Sequence, residues 1–294
     1  MSKIKIALQK SGRLHVESIK LINDCGINLD VCYKDKLRVL ARNYPIEIFF
    51  LRDDDIPKYI QYGIADIGIV GKNVVCEQKK DFLIKEKLGF GVCRLSLAIP
   101  KYTRYKNVKD LFGKRIATTY PNLLKIYLEK NKIYSDIVNI SGSVEMTTDL
   151  KVADAICDIV SSGETLFKNN LKEIDQVFLS EAVLLCCHKN EKKKLVKLIL
   201  SRILAVKAAR MSKYILCYAP NKNLDKILSF LLKRKSMENG RISIMIPITI
   251  PIINSQYSYV QTVIEENAVF QTIYSLKKNG AENIIVIPIQ IMNT

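Results

Sequence analysis

The stretch ADAICDIVSSGETL, residues 153–166, sets two carboxylates, Asp154 and Asp158, ahead of a small hydroxylated turn. Read as a strand, residues 153–160 put both acids on one face, because their separation is even. Two carboxylates buried together in a core are costly. They are therefore expected at the C-terminal edge of a parallel strand, where ligands bind. Ser161, Ser162, Gly163, Glu164 and Thr165 follow at once. Gly163 allows close backbone approach, and the helix that starts there offers unpaired N–H groups to an anion. The hydroxyls of Ser161, Ser162 and Thr165 add donors. The set suits a sugar phosphate, with carboxylates on ribose hydroxyls and the loop on phosphate. An ordinary helix cap uses one hydroxyl and accounts for neither the other two nor the paired acids.

Three further segments follow strand-like runs. In QKSGR, residues 9–13, Lys10 and Arg13 flank a Ser-Gly turn that could meet phosphate. In RDDDIP, residues 52–57, the acids Asp53 to Asp55 match a helix start, whereas the cation of Arg52 does not help there. In ADIGIVGKN, residues 65–73, Gly71 either admits a flat ligand or only makes a turn.

The elements that must position these groups follow from periodicity. Residues 3–8, 45–52 and 65–71 read as strands, and residues 14–25 and 53–63 as helices closed by Gly26 and Gly63. Strand–helix–strand alternation predicts a parallel sheet. Residues 93–100 form another strand, ended by Pro100, and a second unit begins there. It reads as strands within 113–121, 136–142 and 153–160, and helices over 122–131 and 164–171. Residues 176–189 read as a strand pair or one bent strand, and 191–213 as a long amphipathic helix. From residue 214 the order becomes β-α-β-β-α-β, the ferredoxin-like split.

Composition narrows the classes. The chain has 294 residues, of which 48% are hydrophobic and 26% charged, enough to build cores. No run of 18 apolar residues occurs, so no membrane partner is expected. The opening MSKIKIALQK lacks a continuous apolar region, so no secretory leader is expected. Eight cysteines contain no C-x-x-C spacing and only two histidines accompany them, which argues against zinc. Small buried thiols in a reducing cytoplasm fit instead. The formal charge of +17 suits a polyphosphate-handling enzyme, a nucleic-acid binder, or a general lysine-rich drift. No Arg-rich or aromatic-interleaved tract concentrates that charge, so nucleic acid is not expected as a partner.

QKSGRL, RDDDIP, GIADIGIVG, CRLSLA, GKRIATTYPNLL, SGSVE and ADAICDIVSSGETL, in that order, resemble the long-form ATP phosphoribosyltransferase family, the first enzymes of histidine biosynthesis. The likeness runs through nearly the whole chain. It implies an α/β fold of two periplasmic-binding-protein-like domains with the site in the cleft, plus a C-terminal ferredoxin-like regulatory domain. The implied division is 1–98 with about 190–213, then 99–189, then 214–294. The implied reaction transfers the phosphoribosyl group of phosphoribosyl pyrophosphate to N1 of the adenine of ATP, releasing pyrophosphate. The nucleophile is a ring lone pair, so no Ser, Cys or His nucleophile is needed. Catalysis rests on positioning and charge stabilisation.

By motif, Ser161, Ser162, Gly163, Glu164 and Thr165 would hold the 5′-phosphate, and Asp154 and Asp158 would face the ribose hydroxyls. Lys10, Arg13, Arg52, Asp53 and Gly71 would line the ATP and pyrophosphate side. Mg²⁺ would be held mainly by substrate oxygens. The resemblance also implies histidine as feedback inhibitor, within 214–294, and a homo-oligomer that exists as dimer and hexamer in the cytoplasm. Three departures stand out: Lys151 where relatives have glycine, Glu164 inside a phosphate loop, and Lys72 where relatives have an acid. The 241–262 segment diverges most, and Pro247 and Pro251 interrupt it. Competing readings are a nucleic-acid binder, an exported two-lobed ligand-binding protein, and a regulatory module without chemistry.

Overall fold

A computed structural model describes residues 3–29, 36–188, 193–237 and 246–292. They form two compact units, 1–197 and 198–294. Among the described residues no helix is long and apolar enough to cross a membrane.

The first unit contains two sheets. Its first part runs β1 (Ile4–Gln9), α1 (Arg13–Asp24), β2 (Arg38–Leu40), β3 (Ile46–Leu51), α2 (Ile56–Gln61), β4 (Ile67–Gly71), α3 (Lys72–Glu77) and β5 (Leu83–Lys87). Its second part runs β6 (Cys93–Pro100), β7 (Arg115–Thr118), α4 (Pro121–Lys130), β8 (Asp136–Asn139), β9 (Ala155–Val160), α5 (Glu164–Lys168) and β10 (Leu171–Ser180). The chain then returns as β11 (Ala182–Cys186) to the first sheet, whose order is β2-β3-β1-β4-β11-β5. The second sheet has the order β10-β6-β9-β7-β8. Two short connections join the lobes, residues 88–92 and the single residue Glu181.

The predicted parallel sheet is only its centre. β1 pairs in parallel with β3 and β4, while β2 and β11 run antiparallel to their neighbours. In the second lobe β7 is parallel to β8 and β9, and β6 is antiparallel to β9 and β10. The antiparallel strands include those that cross between the lobes, a direction that short-range periodicity does not encode. The 176–189 run is a pair of strands in different sheets. The predicted helix 164–171 stops at Lys168, where Asn170 takes φ 52 and Leu171 already belongs to β10.

Local chemistry accounts for the elements around the site. β1 and β4 are apolar runs that pack on both faces, with Ile6, Leu8, Ile67 and Ile69 fully buried. α1 buries Ile19, Leu21 and Ile22 and leaves Val16 exposed. Gly26 closes it at φ 75, the left-handed stop that favours glycine. The described cysteines are free thiols, all but Cys76 buried. Burial pushes the Cys217 thiol up to about 11, which keeps it protonated and inert.

After α6 (Lys194–Arg210), the second unit runs β12 (Ser212–Pro220), α7 (Leu224–Met237), β13 (Ile248–Pro251), β14 (Tyr257–Glu265), α8 (Val269–Lys278) and β15 (Glu282–Pro288). The order β13-β14-β12-β15, antiparallel throughout, is the expected ferredoxin-like sheet. Ile215, Cys217, Ala219, Ile227, Val260 and Leu276 form its core. Of the divergent 241–262 segment, residues 241–245 lie outside the described residues. Pro251 ends β13, an edge strand, where a missing N–H is tolerated.

Lys151 sits at φ 58, so this lysine carries a backbone conformation that glycine adopts freely. A side chain there costs about 1–2 kcal/mol, against about 0.5–1 kcal/mol of extra chain entropy for glycine. Lys151→Gly should therefore stabilise the first unit by about 0.5–1 kcal/mol. Urea denaturation measures this, and an unchanged or lower midpoint contradicts it.

Candidate active site

Two neighbouring cavities lie in the first unit and share Arg13, Asp158 and Ile159 as lining. The first, of about 300 Å³, is bounded by Glu145 and the loop 161–166. The second, of about 260 Å³, is bounded by Gln9, Asp53, Gly71, Asn73 and Tyr120. Arg13 is the first residue of α1, delivered by the Gly12 turn at φ 93 directly after β1. Asp158 stands within β9, where its Oδ1 accepts the Ile159 N–H at 2.7 Å. Burial holds its carboxyl above the ordinary carboxylate range. The Glu145 charge adds to that rise, and the Ile159 bond and the Arg13 cation oppose it.

The 161–166 loop has the shape read from the sequence. Gly163 takes φ 83 and ψ 1 at the N-cap of α5. A Cβ there would meet nothing within 4 Å, so conformation and not space calls for glycine. No side chain caps α5. The Ser161 and Thr165 side chains are exposed on the rim, and Ser162 Oγ lies 3.4 Å from the Glu164 N–H. The first N–H groups of such a turn have no intrahelical acceptor. Glu164 is exposed and pairs with Lys168 at 2.7 Å.

Asp154 and Asp158 are not brought together. Asp154 precedes β9 and so stands at the end opposite the loop. There it accepts from the Arg115 N–H at 2.9 Å and from the Arg115 guanidinium at 3.2 and 3.3 Å. That bonding holds its carboxyl below the usual range. The even spacing survives, but four residues of strand extend roughly 13 Å. Asp154 is thus bonded to Arg115 at the far end of β9, and the expectation of a carboxylate pair at one edge is corrected accordingly.

Of the residues expected on the opposite wall, Arg13, Asp53 and Gly71 line the second cavity. Lys10 and Arg52 are exposed and line neither cavity. Lys72 places its ammonium 5.3 Å over the Phe178 ring. Gly71 has φ −67, so its role is space: a Cβ would fall 2.4 Å from Asn73 Oδ1. Asn73 is buried and fixed by Ser180, whose Oγ accepts the Asn73 N–H at 3.0 Å and donates to Asn73 Oδ1 at 2.7 Å.

Sequence reasoning did not single out Gln9, Asn73, Tyr120 or Glu145 as site residues. Gln9 ends β1, and its Oε1 is buried without a hydrogen-bond partner, an acceptor at the cavity wall. Tyr120 is the N-cap residue of α4. Burial, followed by the charges of Asp53, Asp54 and Asp158, raises its phenol far above the ordinary value; a bond to Asn73 opposes this weakly. Tyr120 is thus a protonated donor among acids. The available signal was its place in TTYP, just after a strand and before a helix.

The HisG model, described as ATP phosphoribosyltransferase, matches residues 52–205, and the HisG C-terminal domain model matches residues 209–291. An ATP phosphoribosyltransferase of Cytophaga hutchinsonii is 44% identical over 98% of this chain and 97% of its own length. The chain belongs to the ATP phosphoribosyltransferase family. A second ATP phosphoribosyltransferase, from Phocaeicola vulgatus, is also 44% identical, over 98% of this chain and 99% of its own. Among solved structures, the ATP phosphoribosyl transferase (HisG:HisZ) complex from Thermotoga maritima superimposes with TM-score 0.59 at 27% identity. It covers 68% of this chain and 96% of that one. The activity is pentosyl transfer in the first step of histidine biosynthesis, and the long-form, two-lobed and ferredoxin-like reading stands.

Proposed function

We propose that the two cavities are the halves of one phosphoribosyl-transfer site. The single observation that carries this is that Arg13 and Asp158 line both. The 161–165 loop receives the 5′-phosphate of phosphoribosyl pyrophosphate through backbone N–H groups and hydroxyls. Asp158 and Glu145 take the ribose hydroxyls. The adenine of ATP enters beside Tyr120, Gly71 and Gln9, so its N1 meets the anomeric carbon above Asp158. Arg13, standing where the cavities join, stabilises the pyrophosphate as it departs. Asp158, ionised, stabilises the positive charge that develops on the sugar ring.

Asp53, Glu145 and Asp158 present hard oxygen donors to the cavities, a set that fits Mg²⁺ alongside substrate oxygens. When bound, the ion neutralises charge on the pyrophosphate. Among the described residues no group of three His, Cys, Asp or Glu side chains is placed to hold a metal unaided.

The remaining expectations belong to the same proposal. The domains divide as 1–98 with about 190–213, 99–189, and 214–294. The protein works in the cytoplasm as a homo-oligomer, dimer or hexamer, and histidine acts through 214–294. Full-length protein incubated with ATP, phosphoribosyl pyrophosphate and Mg²⁺ should form an adduct with new ultraviolet absorbance, and omission of any one should abolish it. A histidine titration of that rate should fall towards zero; a flat curve removes the feedback claim while leaving the transferase intact.

A further inference from the structure

Helix α4 opens on an acceptor from the other lobe. The Asn122 N–H donates to Glu77 Oε1 at 2.8 Å and the Leu123 N–H to Glu77 Oε2 at 3.0 Å. The Asn122 Nδ2 donates to the Glu77 carbonyl oxygen at 2.9 Å. Tyr120, the residue at the N-cap, makes no side-chain cap of its own and lines the second cavity. A carboxylate on two N–H groups of a first turn makes charge-assisted bonds that the helix dipole strengthens.

Glu77 ends α3, and the start of α3 carries Asn73, on the cavity wall beside Gly71. The start of this helix thus brings Asn73 to the cavity that Tyr120 also lines, and its end grips the residues two and three places after Tyr120. The helix so ties the turn of chain that carries the ring to the cavity wall. We propose that Glu77 is a positioning residue for phosphoribosyl transfer: by holding the first turn of α4 against α3, it sets Tyr120 in the cavity where the nucleotide meets the ribose. This rests on the reading of that cavity given above.

The test compares steady-state rates of the full chain, with ATP and phosphoribosyl pyrophosphate varied in turn, for Glu77→Ala, Glu77→Gln, Tyr120→Ala and Glu77→Ala with Tyr120→Ala. Glu77→Ala should lower kcat/KM for ATP about tenfold, the loss of charge-assisted bonding. Glu77→Gln, which keeps one acceptor, should recover part of it. In the Tyr120→Ala background the same change should cost less than about threefold, because the residues act as a unit. Equal losses in both backgrounds, or wild-type rates for Glu77→Ala, overturn the inference and leave the site reading standing. Wild-type rates for Tyr120→Ala overturn both. If Glu77→Ala fails to fold by circular dichroism, Glu77→Gln decides. A raised KM for ATP with an unshifted melting temperature supports positioning, and a wild-type KM refutes it.

Discussion

Asp158→Asn is expected to lower turnover about ten- to a hundredfold and to leave the fold at least as stable at neutral pH. The loss follows from removing a charge-assisted hydrogen bond to the sugar, about 1.5–3 kcal/mol. The retained stability follows from burial, which raises the carboxyl above the ordinary carboxylate range and so disfavours the ionised form. Between the ordinary value and the raised one, the native state holds more proton than the unfolded chain. Stability therefore falls as pH rises through that window, and the cost is fully present at neutral pH. Asparagine carries no charge, so the variant should lose this slope. The wild-type rate should fall on the acid side as pH drops through the raised value, because the working form is the carboxylate. Steady-state kinetics and chemical denaturation across pH 4–8 read both effects. Wild-type turnover, or a variant much less stable at pH 7, would sink the role given to Asp158.

Arg13→Ala is expected to cost about a hundredfold in kcat/KM, because one guanidinium serves both cavities and bears on the departing pyrophosphate. Its cation also lowers the Asp158 carboxyl. Without it that carboxyl rises further, so the acid limb of the rate profile should move to higher pH. The double variant Arg13→Ala with Asp158→Asn should lose less than the two single losses combined, since opposite charges lining the same cavities couple, by about 0.5–3 kcal/mol. Strict additivity together with an unmoved acid limb would place the residues in separate sites.

Much of this was legible from residue order. Periodicity located β1, α1, β4, β6 and β9, and the change of rhythm after residue 213 announced the β-α-β-β-α-β sheet. The loop from Ser161 to Thr165 was readable because a glycine in a left-handed turn and its hydroxyl neighbours form a contiguous, local pattern. Strand direction was less legible: β6, β10 and β11 are antiparallel because the chain crosses twice between lobes, a long-range event without a short-range signature.

The site divides along the same line. Arg13 and Asp53 lie just after strands and Gly71 ends one, so their place at a sheet edge follows from the strands alone. Asp154 was misplaced because alternation specifies a face and not an end of the strand, and its partner Arg115 is 39 positions away in sequence, at the start of β7. Tyr120 and Glu145 line cavities together with residues of the first lobe, and Asn73 and Glu77 bond to residues of the second. No spacing rule brings Glu77 to the N–H groups of Asn122 and Leu123. Local sequence carries the backbone's conformational preferences; which side chains meet across a cleft is set by how two separately formed sheets are joined, through energies that depend on distance in space.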